Sequence, residues 1–404
     1  MVMKTRSILA ILVIFISFAA SSCGNEACDK DKRAKYIFLF IGDGMGNSHI
    51  ATTESYLSYK QGKLGGEQLL MTTFPYYGTA STYSADKQVT CSSAAGTAIA
   101  CGQKTNNEMV GVGPDSLALK SVACELKDLG YKVGIISDVP INHATPAAFY
   151  AHTCHRDGYY EIAREIPESK FDFFCSAGFL DYKGKNADKE PLDKYLEEKG
   201  YAVFYGLKEF NEKKADYNKV VLCPTEVKGR NAREYVVAGQ GEGDIRLHQM
   251  LESGIEFLGQ EEPFFIMCEG GNIDWAAHFH RTMPVVLNIL EFDKAIQKAY
   301  EFYLKHPDET LIIVTADHET GGLSLGSTSK KINWKMLEKS WVDNEMEPLK
   351  DHDENKKLND KCSFGWTSGS HTGAPVPVFA IGHGAERFMG RMDNTEIKGK
   401  ILCR

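Results

Sequence analysis

The run from Tyr36 to Ile41, "YIFLFI", is apolar at every position and stops at the glycine-rich "GDGMG". Continuous apolarity over strand length, rather than alternation, predicts a strand buried on both faces. Four further runs share this texture: "YKVGIISD", "PFFIMCEGG", "LIIVTADH" and "PVPVFAIG". Between them the period changes. Val285, Ile289, Phe292, Ile296 and Ala299 fall on one face of a helix. "DSLALKSVACELKDLG" predicts another helix, opening at Asp115 and closed by Gly130. At least five buried strands interleaved with helices predict an α/β fold with a largely parallel central sheet flanked by helices on both faces. Two stretches, near 181–260 and 327–365, are polar, rich in Lys and Glu, and without long buried runs. They read as surface insertions on one domain spanning 36–404.

The opening residues follow a different pattern. Lys4 and Arg6 precede an apolar run from Ile8 to Ala20, then small residues, then Cys23. The run is too short to cross a bilayer, which takes ~20 apolar residues, and it predicts an export signal over 1–22. A small-residue run ending at cysteine resembles a bacterial lipoprotein leader, although Ala20 stands where leucine is usual. On this reading Cys23 is the first mature residue, its lipid attaches the protein to a membrane, and 23–35 is a linker. The expected location is the periplasm or cell envelope. Composition then removes one class: 46 basic residues against 54 acidic ones give a net charge of -8, without the basic footprint of a nucleic-acid binder. The 11 cysteines could form disulfides in an exported chain, but their spacing fixes no pairing and contains no CxxC pair.

In open parallel sheets the ligand site lies beyond the carboxyl ends of the strands. Asp43, Glu269, Asp317 and His318 stand at such ends. Carboxylates brought together there cannot all stay ionised without compensation, and a metal cluster resolves the conflict. Just past Glu269, Asp274 and His278 are four apart, on one face if "GGNIDWAAH" is helical. Imidazole with carboxylate suits zinc. Each residue has an ordinary reading alone, Asp43 as a helix cap and the Asp274/His278 pair as a surface pair; their convergence favours a site. His371, in a Gly- and Ser-rich loop before a buried strand, is open between loop filler and ligand. His248, His306 and His352 read as solvated, and His280 and His383 as neighbours of the site without an assigned role.

"VTCSSAAGTA" poses a separate question of chemistry. A Cys-x5-Arg phosphatase loop at Cys91 would need arginine where Thr97 stands, and a sulfatase precursor would need Pro or Ala at Ser93 and Arg at Ala95. What remains is Ser92 opening a small-residue helix stopped at Gly102, with backbone N–H groups turned to an anion that small side chains let approach. A plain N-cap serine is the alternative.

Six segments in order, "FIGDGMGNS", "VTCSSAAGTA", "HATPAAFYAHTCHR", "EGGNIDWAAH", "TADHETGG" and "SGSHTG", resemble the alkaline phosphatase family from about Tyr36 onward. The resemblance implies a metal-dependent phosphomonoesterase with Ser92 as the nucleophile that becomes phosphorylated. It implies one zinc site of Asp274, His278 and His371, a second of Asp43, Asp317 and His318, and a third, magnesium-type site where Asp43 is joined by Thr145 and Glu269. Arg156 matches the arginine that clamps phosphate oxygens. His143 stands where well-known bacterial members have Asp and animal members His, which opens the third site to zinc as well as Mg2+. Cys91 replaces an Asp that orients the arginine, and Trp275 a Lys that holds phosphate through water; both losses predict weaker retention of product phosphate. Small phosphomonoester substrates and a homodimer are also implied. The rival readings are a phosphodiesterase or sulfatase of the same superfamily, and a non-catalytic metal- or phosphate-binding lipoprotein.

Overall fold

The computed structural model describes residues 33–232, 245–344 and 351–404. The export signal, Cys23 and most of the linker lie outside them, as do parts of both polar stretches. In chain order the strands are β1 (Tyr36–Gly42), β2 (Tyr76–Ser81), β3 (Lys132–Ser137), β4 (Phe173–Cys175), β5 (Ala202–Tyr205), β6 (Val220–Cys223), β7 (Phe264–Gly270) and β8 (Thr310–Thr315). The two-residue strands β9 (Glu319–Thr320), β10 (Ser324–Leu325), β11 (Phe364–Gly365) and β12 (His371–Thr372) follow, then β13 (Val376–Gly382) and β14 (Gly390–Asp393). Ten of these form one sheet in the order β14-β2-β13-β8-β1-β7-β3-β4-β6-β5. Among the described residues β13 alone runs against the rest, pairing antiparallel with both β2 and β8. The sheet is therefore largely parallel, as the apolar runs predicted.

β1 sits between β7 and β8, with Ile41 level with both Glu269 and Thr315. All seven of its residues are buried, because helices cover both faces. The helix Thr282–Tyr303 lays Val285, Ile289, Phe292, Ile296 and Ala299 against the sheet, each fully buried, and the Phe292 ring meets Phe40 edge-on at 5.8 Å. Each of the four larger side chains contributes roughly 1.5–3 kcal/mol by leaving water, and Ala299 less. This apolar platform is rigid, and the strand ends it carries are correspondingly fixed in place.

Three local expectations give way. The helix expected from Asp115 begins at Val122, where Ser121 caps it by accepting the Cys124 N–H at 3.1 Å; the preceding residues turn back, with Val112 bridging Ala118. The first polar stretch is more than a surface insertion, since its β5 and β6 extend the sheet and the helix Leu247–Leu258 covers it. Four-residue strands inside polar sequence fall below the length at which a buried run can be recognised. The expected solvation also fails for two histidines, both half-buried: His248 Nδ1 is bonded to Glu291, and His306 Nε2 contacts Gln260 Oε1 at 3.2 Å.

Candidate active site

The carboxyl ends of β8, β1, β7 and β3 lie side by side, and their polar residues converge. Asp43 follows β1, Glu269 is the penultimate residue of β7, and Asp317 and His318 follow β8. All four are fully buried. His371 reaches the same rim because β13 is antiparallel: its amino end lies where its neighbours' carboxyl ends are. The β12–β9 pairing sets His371 opposite Thr320, and His371 Nδ1 is held at 2.8 Å from the Thr90 carbonyl. Asp274 and His278 do share one face of a helix, Asn272–His278.

Three sets of ligand-type atoms lie within 4.8 Å of one another: Asp274, His318 and His371; Asp43, Asp317 and His318; and Asp43, His143 and Glu269. His278 joins the first set, its Nε2 lying 3.3 Å from Asp274 Oδ2 and 3.2 Å from His371 Nε2. His318 stands between sets, with Nε2 3.3 Å from both Asp43 Oδ1 and Asp317 Oδ2. The Thr145 hydroxyl adjoins Glu269. The donors fit metal ions on two grounds. Both Asp43 carboxylate oxygens, Asp317 Oδ2, Glu269 Oε1, Thr145 Oγ1 and His143 Nδ1 are buried without a hydrogen-bond partner, a costly state in a protein interior. The mixture of imidazole and carboxylate is also the set that zinc accepts.

The electrostatics say the same. Burial, then the charge of Asp317, pushes Asp43 well above the usual carboxylate range. Burial likewise raises Glu269 to about 8 and Asp317 to about 7. Burial would raise Asp274 too, but the hydrogen bond from His278 and the charges of three histidines hold it low. His278 is the reverse case, lifted to about 9 by Asp274 against the effect of burial. Burial and then Arg156 lower His143 to about 3, so its imidazole is neutral, the form that ligates metals. Acids that hold protons this strongly are acids short of a cation.

Ser92 is buried at 2% exposure and opens the helix Ser92–Cys101. The N-cap position belongs to Cys91, and Ser92 Oγ lies 3.2 Å from His318 Nε2, so the plain-cap alternative fails. The small residues of this helix have a second use: a Cβ on Gly96 would stand 3.3 Å from Ala148 Cβ and Thr145 Cα. What comes close to that face is the chain segment carrying Thr145, which seats the nucleophile's helix against the third ligand set. Arg156 donates from its NH2 group to His143 Nε2 at 3.0 Å, and its backbone N–H is held by the Glu108 carbonyl at 2.9 Å. The Glu108 N–H in turn donates to Cys91 Sγ at 3.2 Å.

The alkaline phosphatase family model matches residues 34–176 and 180–403. The chain belongs to the alkaline phosphatase family. Alkaline phosphatase 4 of Bacillus subtilis is 31% identical to it, across 98% of this chain and 95% of that protein. Alkaline phosphatase 3 of the same organism is 28% identical, across 96% and 94%. Among solved structures, the alkaline phosphatase of the Antarctic bacterium TAB5 superposes with a TM-score of 0.74 at 33% identity, covering 92% of this chain and 98% of that one. The cold-active alkaline phosphatase of Shewanella sp. gives 0.76 at 26% identity, covering 91% and 99%. Membership makes the protein a phosphoric monoester hydrolase.

The layer of this alkaline phosphatase that holds the ligands was missed in the sequence. Ser137 donates to Glu269 Oε2, and Thr320 donates to Asp274 Oδ1. Asp138 Oδ1 accepts the Gly271 and Asn272 N–H groups at 2.6 and 3.1 Å, fixing the start of the Asp274 helix. The signal was available for Ser137 and Asp138, which end the run "YKVGIISD" just as Asp43 ends its own. Two histidines also find their places. His280 Nε2 is bonded to the Ser368 carbonyl at 2.7 Å and its ring stacks on Trp366. The His383 N–H donates to the Thr310 carbonyl at 2.8 Å, at the amino end of β8, the end of the strands opposite the site.

Proposed function

We propose that the protein hydrolyses phosphomonoesters through a phosphoserine formed on Ser92, with two Zn2+ and one Mg2+ bound, the third site open to Zn2+ as well because of His143. The observation that carries this reading is the Ser92 hydroxyl set 3.2 Å from His318 Nε2, beside buried carboxylates that lack partners. Asp274, His278 and His371 would hold one zinc, Asp43, Asp317 and His318 the other, and Asp43, Thr145, Glu269 and His143 the third ion. A histidine variant of the TAB5 enzyme, solved with Mg bound in its M3 site, supports a third site. Metal ions at such positions supply Lewis-acid stabilisation of charge on attacking and leaving oxygens.

The chain's own groups do the rest. Ser92 Oγ attacks phosphorus in line; the bond to the leaving alcohol breaks, and that alcohol departs with a proton. The Arg156 guanidinium and the backbone N–H groups opening the Ser92–Cys101 helix face the equatorial oxygens, where transition-state charge lies. Water then cleaves the phosphoserine and releases inorganic phosphate. Attack needs the serine oxygen without its proton, so the rate rises toward alkaline pH. The apolar leader and Cys23 support export to the periplasm or cell envelope with lipid attachment, and the family supports a homodimer; palmitate labelling and sedimentation test these two.

The deciding experiment is hydrolysis of p-nitrophenyl phosphate by the chain without its leader, near pH ~9 with zinc and magnesium. Turnover should vanish in EDTA, and should fall at least about 1,000-fold in Ser92→Ala while bound metal is retained. Undiminished turnover in Ser92→Ala would overturn the assignment of the nucleophile.

A further inference from the structure

A cleft of ≈ 720 Å³ opens beside the site, walled by His143, His278, Trp275, Tyr159, Leu180 and Phe279. Two of these belong to the ligand sets; the other four are apolar or aromatic and come from three segments of the chain, and Arg281 and Gly369 complete the lining. Phe279 follows His278 directly and is 45% exposed, with the Arg281 guanidinium 4.4 Å from its ring centre. Trp275 stands edge-on to His143 at 5.4 Å. Ser92 and His318 do not line the cleft. Its two ligand residues are His278, beside the first set, and His143 of the third. In-line attack from Ser92 sends the leaving oxygen away from the serine, and this cleft is an open space bordered by ligand residues other than Ser92 and His318.

We infer that the cleft receives the leaving group, and that the enzyme favours phosphomonoesters whose alcohol carries a planar ring. The inference rests on the reading of Ser92 as nucleophile. Aromatic faces and edges converging on a concave site form surface complementary to a ring, and such contacts add to simple burial. A small polyol phosphate would leave the same walls wet.

The test compares wild-type enzyme with Phe279→Ala and Leu180→Ala on p-nitrophenyl phosphate, adenosine 5'-monophosphate and ring-free glycerol 1-phosphate. In each variant kcat/KM for the ring-bearing esters should fall about tenfold, mainly through KM, with glycerol 1-phosphate changed by less than about twofold. Inhibition by phenylphosphonate should weaken relative to methylphosphonate in the same variants. A fall confined to one ring-bearing ester supports the inference and assigns the ring as aryl or nucleobase. Because the two positions lie on different segments, a local folding fault would not give both variants the same selectivity, and the ring-free ester controls for it. Variants that change all three esters equally, or none, overturn the inference. A wild-type enzyme inactive on all three overturns the phosphatase reading instead.

Discussion

At the floor of the site, where β8, β1, β7 and β3 end, buried carboxylates and imidazoles face one another with several atoms unpartnered. The neighbouring 327–365 stretch is rich in polar residues, and its described ones have fewer unmet demands. Its helices, Trp334–Asp343 and His352–Cys362, are capped by Asn333, which accepts the Met336 N–H at 3.0 Å, and by Asp351, which accepts the Glu354 N–H at 3.0 Å. Glu338 accepts the Tyr56 hydroxyl at 2.8 Å. Trp334, Leu337 and Phe364 pack with Tyr56 and Val286 in a small core of their own. Polarity as such does not mark function here. Unsatisfied polarity gathered in one place does: single unpartnered atoms such as Thr310 Oγ1 and Asn394 Nδ2 occur elsewhere, but at the floor several carboxylates and imidazoles share the deficit.

The largest test of that contrast is Gly44→Ala. Gly44 has φ +69°, and a Cβ there would stand 2.9 Å from Asp274 Oδ1 and 2.8 Å from Thr320 Oγ1. We expect at least about a 100-fold fall in turnover together with loss of bound zinc, read by metal analysis. Metal removal comes next. With Glu269 raised to about 8 and Asp317 to about 7, against about 4 in the unfolded chain, the folded metal-free protein holds protons that the unfolded chain has released. Its stability is therefore greatest below about pH 4 as far as these groups are concerned, and is lost as pH rises to about 8. Thermal melts should show the metal-free Tm falling by more than about 3 °C across that window, and zinc should abolish the trend.

On the quieter side of the comparison, Asn359→Ala removes hydrogen bonds to the His280 carbonyl at 2.8 Å and from Thr282 at 2.7 Å. It should cost about 1–3 kcal/mol in denaturant unfolding, with turnover of the metal-saturated enzyme retained. The smallest effect is expected for Cys91→Asp. A carboxylate returned near Arg156 should lower the inhibition constant for phosphate about fivefold; an unchanged constant would separate Cys91 from product retention.

The floor was legible because each of its acids follows a run of uniformly buried residues, a signal carried by local sequence alone. Asp274 and His278 were legible through helical spacing, and Ser92 through the small residues after it. The direction of β13 was not, since an apolar run has no polarity until it is paired, and so the reason His371 reaches the rim could not be read. Nor could β5 and β6, too short to stand out, or the contact of Arg156 with His143, which depends on a turn between them. Gly96 was legible as a close approach, but the sequence pointed to an anion where the structure has the segment 144–148.

The place of β13 also orders events during synthesis. β2 touches the older part of the sheet only through β13, which sits between β2 and β8, and Ser92 lies in the chain just after β2. Until the residues of β13 have left the ribosome, β2 has no partner to tie it to β8, and His371, just ahead of β13, has no strand to carry it to the rim. β2 and the final histidine are thus tied to the sheet in one late, long-range step of the kind that is slow to close. A chain that stops short of His371 carries the acidic floor with its first ligand set incomplete.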